Sequence, residues 1–201
     1  MGEFADVVRR RRMTRSFSAD PVDPSLLASL VDLAARAPSA GKAQGWHLVQ
    51  LTGAATARFW DVTLPAARRA TFRWPGLLDA PVIWLPFADP QAYVDRYAEP
   101  DKAATGLGAG ADAWPTPYWT VDASMAVMTL LLAAEDAGLG ALLFGVFRGE
   151  AEVRRELGVP DTLQLLGAVA LGHPAEGPEP KGRSAPRARR TADEIVHVGG
   201  W

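Results

Sequence analysis

Apolar and polar positions along this chain follow two periods, one helical and one extended. After Asp23 and Pro24, residues Leu26, Leu27, Leu30, Val31 and Ala34 recur at helical spacing. A capping carboxylate and a first-turn proline precede that stripe, so the pattern predicts a helix over 24–36. Residues 47–52 are a short apolar-rich strand closed by Gly53, and a helix is expected over 54–72 with Phe59, Val62 and Ala66 on one face. The segment PVIWLPF (81–87) has strand length and composition, and Pro86, which has no N–H to donate, places that end at a sheet margin. Residues 120–137 form the strongest helical pattern, apolar almost all round and stopped by Gly138; such a helix is central or sits at a subunit interface. A strand over 141–147, an amphipathic helix over 150–157 ended by Gly158-Val159-Pro160, and an apolar strand over 163–171 complete the pattern. Helices and strands mix without regular βαβ alternation, which predicts an α+β domain.

Two segments break the periodicity. Between 88 and 120, Tyr93, Tyr97, Trp114, Tyr118 and Trp119 are scattered among glycines and prolines, with only a short helical stretch near 90–97. A segment of this kind is either a lid or substrate wall, or a surface loop whose rings fold back on the core. Residues 173–186 are rich in proline and glycine and read as a connector to a terminal arm reaching 201. No repeat divides the rest, so one domain is expected over 1–201.

Composition narrows the chemistry. The 201 residues include no cysteine, which removes disulfides, thiolate metal sites and thiol catalysis and is compatible with a reducing cytoplasm. The opening residues show no apolar stretch of the kind that directs secretion, and the longest apolar run, 123–134, is too short to span a bilayer, so a cytoplasmic protein without membrane partners is expected. The formal charge of −2 conceals an uneven layout: Arg9, Arg10, Arg11, Arg12 and Arg15 sit in one acid-free segment, and Lys181, Arg183, Arg187, Arg189 and Arg190 in another. Ten of 21 basic residues thus occupy two short stretches, leaving an acidic body. Two basic ends on an acidic body suggest an anionic ligand. Solvated arms are the plainer alternative, and a nucleic-acid arm is disfavoured because the acidic body would repel a long polyanion and no aromatic residues interleave with the arginines.

Common catalytic constellations are missing. His47, His173 and His197 lie far apart with no partner three or four residues on, so no histidine metal site is expected. No G-x-G-x-x-G opens a helix, no phosphate-loop lysine pattern occurs, and no G-x-S-x-G elbow is present. Ser39 has no base near it and suits a capping or ligand-contact role.

Four motifs in order carry a resemblance. Arg-Arg-Met-Thr-Arg-Ser-Phe (11–17) followed by Pro21-Val22 resembles the opening of the nitroreductase family of flavin mononucleotide (FMN) enzymes, usually Arg-Arg-Ser-x-Arg-x-Phe and then Pro-Val. Ala37-Pro38-Ser39-Ala40-Gly41-Lys42-Ala43-Gln44-Gly45-Trp46 resembles that family's A-P-S-x-x-N-x-Q-P-W. The helix ending Ala137-Gly138-Leu139-Gly140, with its following strand, helix and Leu157-Gly158-Val159-Pro160, is similar to the family's later half, and Arg187-Ala188-Arg189-Arg190 with Glu194-Ile195-Val196-His197 resembles its closing segment.

The resemblance implies a mixed, mainly antiparallel sheet flanked by helices, and a homodimer whose flavin sites are built by both subunits. Arg11, Arg187 and Arg189 would hold the FMN phosphate and Arg12 the ribityl chain or ring margin. Arg15 would lie at the ring edge that gains negative charge on reduction, which a fixed cation stabilises. Phe144, Gly145 and Val146 would face the atom that receives hydride, while Ser39, Lys42 and Gln44 approach from the other side; Arg15 and Gly145 are thus the residues nearest the chemistry. NAD(P)H would deliver hydride, a small electron-poor acceptor such as a nitroaromatic or quinone would take it, and Trp114, Tyr118 and Trp119 are the expected pocket wall. Three positions depart from the family's form. Met13 replaces a serine on the phosphate, Lys42 replaces an asparagine amide with a donor-only cation, and Gly45 in place of proline is expected to loosen the turn. Met13 and Lys42 also admit a deazaflavin as the cofactor, and a flavin-binding module without turnover is the other alternative.

Overall fold

The computed structural model describes residues 3–201. Its centre is an antiparallel sheet in the order β1-β2-β5-β3, built from β1 (Trp46–Thr52), β2 (Val82–Ala88), β5 (Ala168–Gly172) and β3 (Gly140–Phe144). A two-residue strand, β4 (Gln164–Leu165), pairs with the end of β2. Strand β2 is buried on both faces, because alternate residues enter different cores. Val82 and Trp84 pack with α2 (Pro24–Ala34) and α6 (Tyr118–Asp136), whereas Ile83, Leu85 and Phe87 pack with α3 (Ala54–Thr63) and α7 (Glu150–Leu157). The result is three layers, helices on each side of one sheet.

Several expectations hold in detail. Asp23 accepts a hydrogen bond from the Ser25 N–H at 2.7 Å and so caps α2, and Pro24 is its first residue. The Ser25 hydroxyl, which donates to the same Asp23 oxygen at 2.8 Å, and with it this N–H hold the Asp23 carboxyl below its ordinary pKa. Helix α7 covers the predicted residues 150–157, and α6 stops at Gly138, where the Leu139 N–H reaches back to the Ala134 carbonyl at 2.8 Å.

Four expectations are corrected. The helix over 54–72 is two helices, α3 and α4 (Ala66–Arg69), because Pro65 disfavours helical backbone at Leu64, whose φ is −138°. Pro86 lies inside β2, opposite Leu48, and not at a margin. Its carbonyl accepts from the Leu166 N–H on the side where β5 has ended and β4 not yet begun, so its missing N–H falls in a gap of the ladder. The strand over 141–147 ends at Phe144, freeing Gly145, Val146 and Phe147, and the strand over 163–171 is divided into β4 and β5. An unpredicted helix, α1 (Phe4–Arg10), packs on α6.

The 88–120 segment contains α5 (Pro90–Ala98) and three short 3-10 turns, and its rings pack edge-on to one another. Trp114 lies 4.7 Å from Tyr97 and 5.8 Å from Tyr93 between centroids, and its indole N–H donates to the Leu107 carbonyl at 3.0 Å. Residues beyond Pro174 form an arm without regular helix or strand, where Ile195, Val196, Val198 and Trp201 are exposed. The chain exposes 12086 Å². A compact monomer of this mass exposes about 9,000 Å². The exposed arm and the apolar side chains left uncovered on α1 (Phe4, Val8) and α6 (Val121, Met128) are part of that surface.

Candidate functional site

The N-terminal arginine segment is fixed against the outer edge of β3. Met13 forms a parallel bridge with Ala141, the Thr14 N–H donates to the Ala141 carbonyl at 3.0 Å, and the Phe17 N–H donates to the Gly76 carbonyl at 3.0 Å. Thr14 is buried here, and a Cβ on Gly140 would stand 2.7 Å from its side chain, so this approach requires glycine. Arg15 is thereby held between two cavities.

The first, about 650 Å³, is lined by Arg12, Met13, Arg15, Glu179, Lys181, Gly182 and Arg189 among others. The two basic segments, far apart in sequence, therefore meet. Lys181 and Arg189 make no ion pair among the described residues, and the one acid in the wall, Glu179, accepts from the Arg15 backbone N–H at 2.5 Å. Arg12 also donates through Nη1 to the carbonyls of Arg9 and Arg10 at 2.6 and 2.8 Å, closing the C-terminus of α1. Arg11 Nη1 is buried without a partner, a donor in want of an acceptor. Arg187 lies outside this wall and is exposed.

The second cavity, about 500 Å³, has aromatic walls: Phe59, Trp60, Phe72, Trp74, Phe144 and Phe147, with Arg15, Gly145 and Val146. Trp60 and Phe144 stack at 5.6 Å with planes 9° apart, and the Arg15 guanidinium lies 5.4 Å over Trp74. A Cβ on Gly145 would press to 2.6 Å from the Phe147 ring. The structure thus places Arg12, Met13 and Arg189 in the first cavity and Phe144, Gly145 and Val146 in the second, with Arg15 in the wall of both. Lys181 in the first and Trp74 in the second were missed. Lys181 was visible as part of the second basic run, whereas nothing local marks Trp74.

The 39–44 turn lies elsewhere, before β1 at the opposite edge of the sheet from β3. Three inter-strand steps of about 4.8 Å separate those edges by roughly 14 Å. Ser39, Lys42 and Gln44 line neither cavity. The turn is strained and heavily bonded: Gly41, Lys42 and Gln44 have φ of 60°, 57° and 53°, and the Gln44 N–H donates to Ser39 Oγ at 3.0 Å. The buried carboxylate of Asp122 accepts from the Ala40 N–H at 2.7 Å and from the Tyr93 hydroxyl at 2.8 Å, while Arg96 Nε donates to the Gly41 carbonyl at 2.8 Å. Burial and this carboxylate push the Tyr93 hydroxyl far above its ordinary pKa. Gly45 does not loosen the turn; a Cβ there would fall 2.7 Å from the Tyr93 ring, so the glycine permits close packing. Asp122 was legible as the one acid among residues 118–134 of an apolar helix. Trp114, Tyr118 and Trp119 stand beside this turn's supports, packed on Tyr93, Tyr97 and one another, and also line neither cavity.

Known proteins of the same fold carry the comparison further. The sequence profile described as the nitroreductase family matches residues 8–173. This chain belongs to the nitroreductase family. A Thermus thermophilus protein named NADH dehydrogenase is 31% identical over 188 residues, which are 87% of this chain and 88% of that protein. The fold is shared with the Streptococcus pneumoniae nitroreductase family protein (TM-score 0.72, 20% identity, 97% of this chain and 99% of that one). It is shared also with the nitroreductase CinD of Lactococcus lactis, solved with nicotinic acid (TM-score 0.71, 20% identity, 94% and 100%). Membership makes this family chain an oxidoreductase. Among the described residues no helix is long and apolar enough to cross a membrane.

Proposed function

We propose that this protein is an FMN-dependent NAD(P)H oxidoreductase that works by a ping-pong cycle, reducing an electron-poor acceptor of the nitroaromatic or quinone class. One observation carries the reading: Arg15 joins an acid-poor basic cavity to an aromatic one, a layout suited to a ligand with a phosphate at one end and a flat ring at the other. Arg12, Lys181 and Arg189 line the phosphate end, and Arg11, outside that lining, keeps a buried Nη1 without an acceptor. Met13 contributes backbone there, its carbonyl accepting from Arg15 Nη1 at 2.7 Å. The chemistry FMN supplies when bound is two-electron hydride transfer from NAD(P)H to the acceptor. With a flavin bound, Arg15 would supply a fixed positive charge to the ring, the rings of Trp60, Trp74 and Phe144 would shield it from water, and Gly145 would offer backbone without a side chain in the way. No side-chain acid is needed for hydride transfer, and the work is positioning.

Ser39, Lys42 and Gln44, at the far sheet edge, reach the ring only from a second copy, which makes the active form a homodimer. The uncovered apolar residues of α1, α6 and the arm supply the surface for it. Trp114, Tyr118 and Trp119 arrive with that turn as the outer pocket wall, in a cytoplasmic enzyme. The test is anaerobic: the reconstituted protein should lose its yellow colour on addition of NADH or NADPH and regain it with a nitroaromatic or quinone. A flavin-loaded protein that excess reduced nicotinamide leaves yellow would refute the proposed turnover.

A further inference from the structure

The aromatic cavity has a feature that hydride transfer does not use. Besides Arg15, its walls include Arg68 in α4 and Arg148 just before α7, and no aspartate or glutamate lines it. Among the described residues, neither Arg68 nor Arg148 makes an ion pair or a side-chain hydrogen bond, although the chain carries 23 acids to 21 bases. Their neighbours are treated differently: Arg69 bonds Asp61 at 2.6 Å, and Arg154 pairs with Glu150 at 3.7 Å. Arg68 and Arg148 thus share this cavity with no acid competing for either of them. Its remaining wall is largely ring surface, with Phe147 93% exposed at the mouth. A volume of about 500 Å³ suits a small ligand rather than a polymer.

We propose that the outer part of this cavity, beyond the space the flavin ring would take, selects acceptors that are flat, aromatic and anionic, with Arg68 and Arg148 binding a carboxylate on the acceptor while its ring packs beside the exposed Phe147. This specifies the acceptor class within the function proposed above and rests on that reading for turnover, but not for binding. A planar guanidinium fork matches a carboxylate in charge and shape, and the absence of competing acids leaves both forks available. Both arginines are exposed, so the attraction is screened by salt. The same forks suit the phosphates of the nicotinamide donor, and the test separates the two sources.

Calorimetric titration of the full-length, flavin-reconstituted protein, without reductant, should find 4-nitrobenzoate bound about tenfold more tightly than its neutral near-isostere 4-nitrobenzamide at low salt. The preference should shrink in molar salt and vanish in the Arg68→Ala/Arg148→Ala double variant, whose melting temperature should stay close to that of the parent because both side chains are exposed. Equal affinities in the parent, no binding of either compound, or a preference that survives the double substitution would overturn the proposal. If instead the double variant keeps the benzoate preference and raises KM for NADPH with a neutral acceptor, the arginines serve the donor. Calorimetry reads binding alone, so a protein that binds 4-nitrobenzoate as expected yet is never reduced by nicotinamide keeps this inference and loses the proposed catalytic cycle.

Discussion

The two groups of family-motif residues, one at each edge of the sheet, are built in opposite ways. At the β1 edge the 39–44 turn is saturated: Asp122, Arg96 and Ser39 satisfy its backbone, Tyr93 donates to Asp122, and three left-handed conformations among residues 41–44 are held against their strain. At the β3 edge the polar groups are left over: Arg11 Nη1, the Trp60 and Trp74 indole N–H groups, and the cations Arg68, Arg148, Lys181 and Arg189 have no partners among the described residues. A saturated region gives shape and an unsatisfied one gives affinity. Removing a residue from the first should cost stability, and from the second should cost binding.

The largest effect expected is on the saturated side. Asp122→Ala leaves the Ala40 N–H and the Tyr93 hydroxyl buried without an acceptor, and should cost about 3 kcal/mol in denaturant unfolding. Asp122→Asn, which keeps a carbonyl acceptor, should recover much of that loss. Equal stability of Asp122→Ala and the parent would break the contrast. On the unsatisfied side, Arg15→Ala should leave unfolding within about 1 kcal/mol of the parent while weakening FMN binding ten- to a hundredfold, read by quenching of flavin fluorescence. Within the basic pair the structure ranks Arg189, which lines the cavity, above Arg187, which does not. Arg189→Ala should therefore weaken FMN about tenfold and Arg187→Ala only slightly, and the reverse ranking would contradict the placement of the arm.

The smallest effect concerns Tyr93. Its pKa is raised in the fold from the ordinary 10.0, so the phenol contributes stability that is present below pH 10 and declines as pH rises above it, where the unfolded chain ionises and the folded one does not. The tyrosinate absorbance that the folded protein gains in alkali should be the same in the parent and in Tyr93→Phe. A smaller gain in the variant would show Tyr93 ionising within the fold.

What could be read from the sequence tracks how local each cause is. The Asp23 cap, helix α7 and the stop at Gly138 depend on a few adjacent residues, and spacing revealed them. The break at Pro65 was equally local; the apolar face of 54–66 masked it. Helix α1 spans only 7 residues, too few turns for Phe4, Val7 and Val8 to establish a helical period before the arginine run. Pro86 misled because its place in a central strand depends on where two other strands begin and end. The meeting of Arg12 and Arg15 with Lys181 and Arg189 was expected from charge layout and family motifs, and the cavity places them together. The clamp on the 39–44 turn and the place of Trp74 under Arg15 required the fold, since their partners lie tens of residues away.

The central claim is that the two basic segments exist to hold a flavin phosphate beside an aromatic cavity. Titrating the apoprotein in parallel with FMN and with riboflavin, which carries the same ring and ribityl chain without the phosphate, tests it most directly. Two charge-assisted contacts to the phosphate predict FMN bound about a hundredfold more tightly than riboflavin, with the gap narrowing as salt is raised. Equal affinity for the two flavins, or binding of neither, would contradict the account.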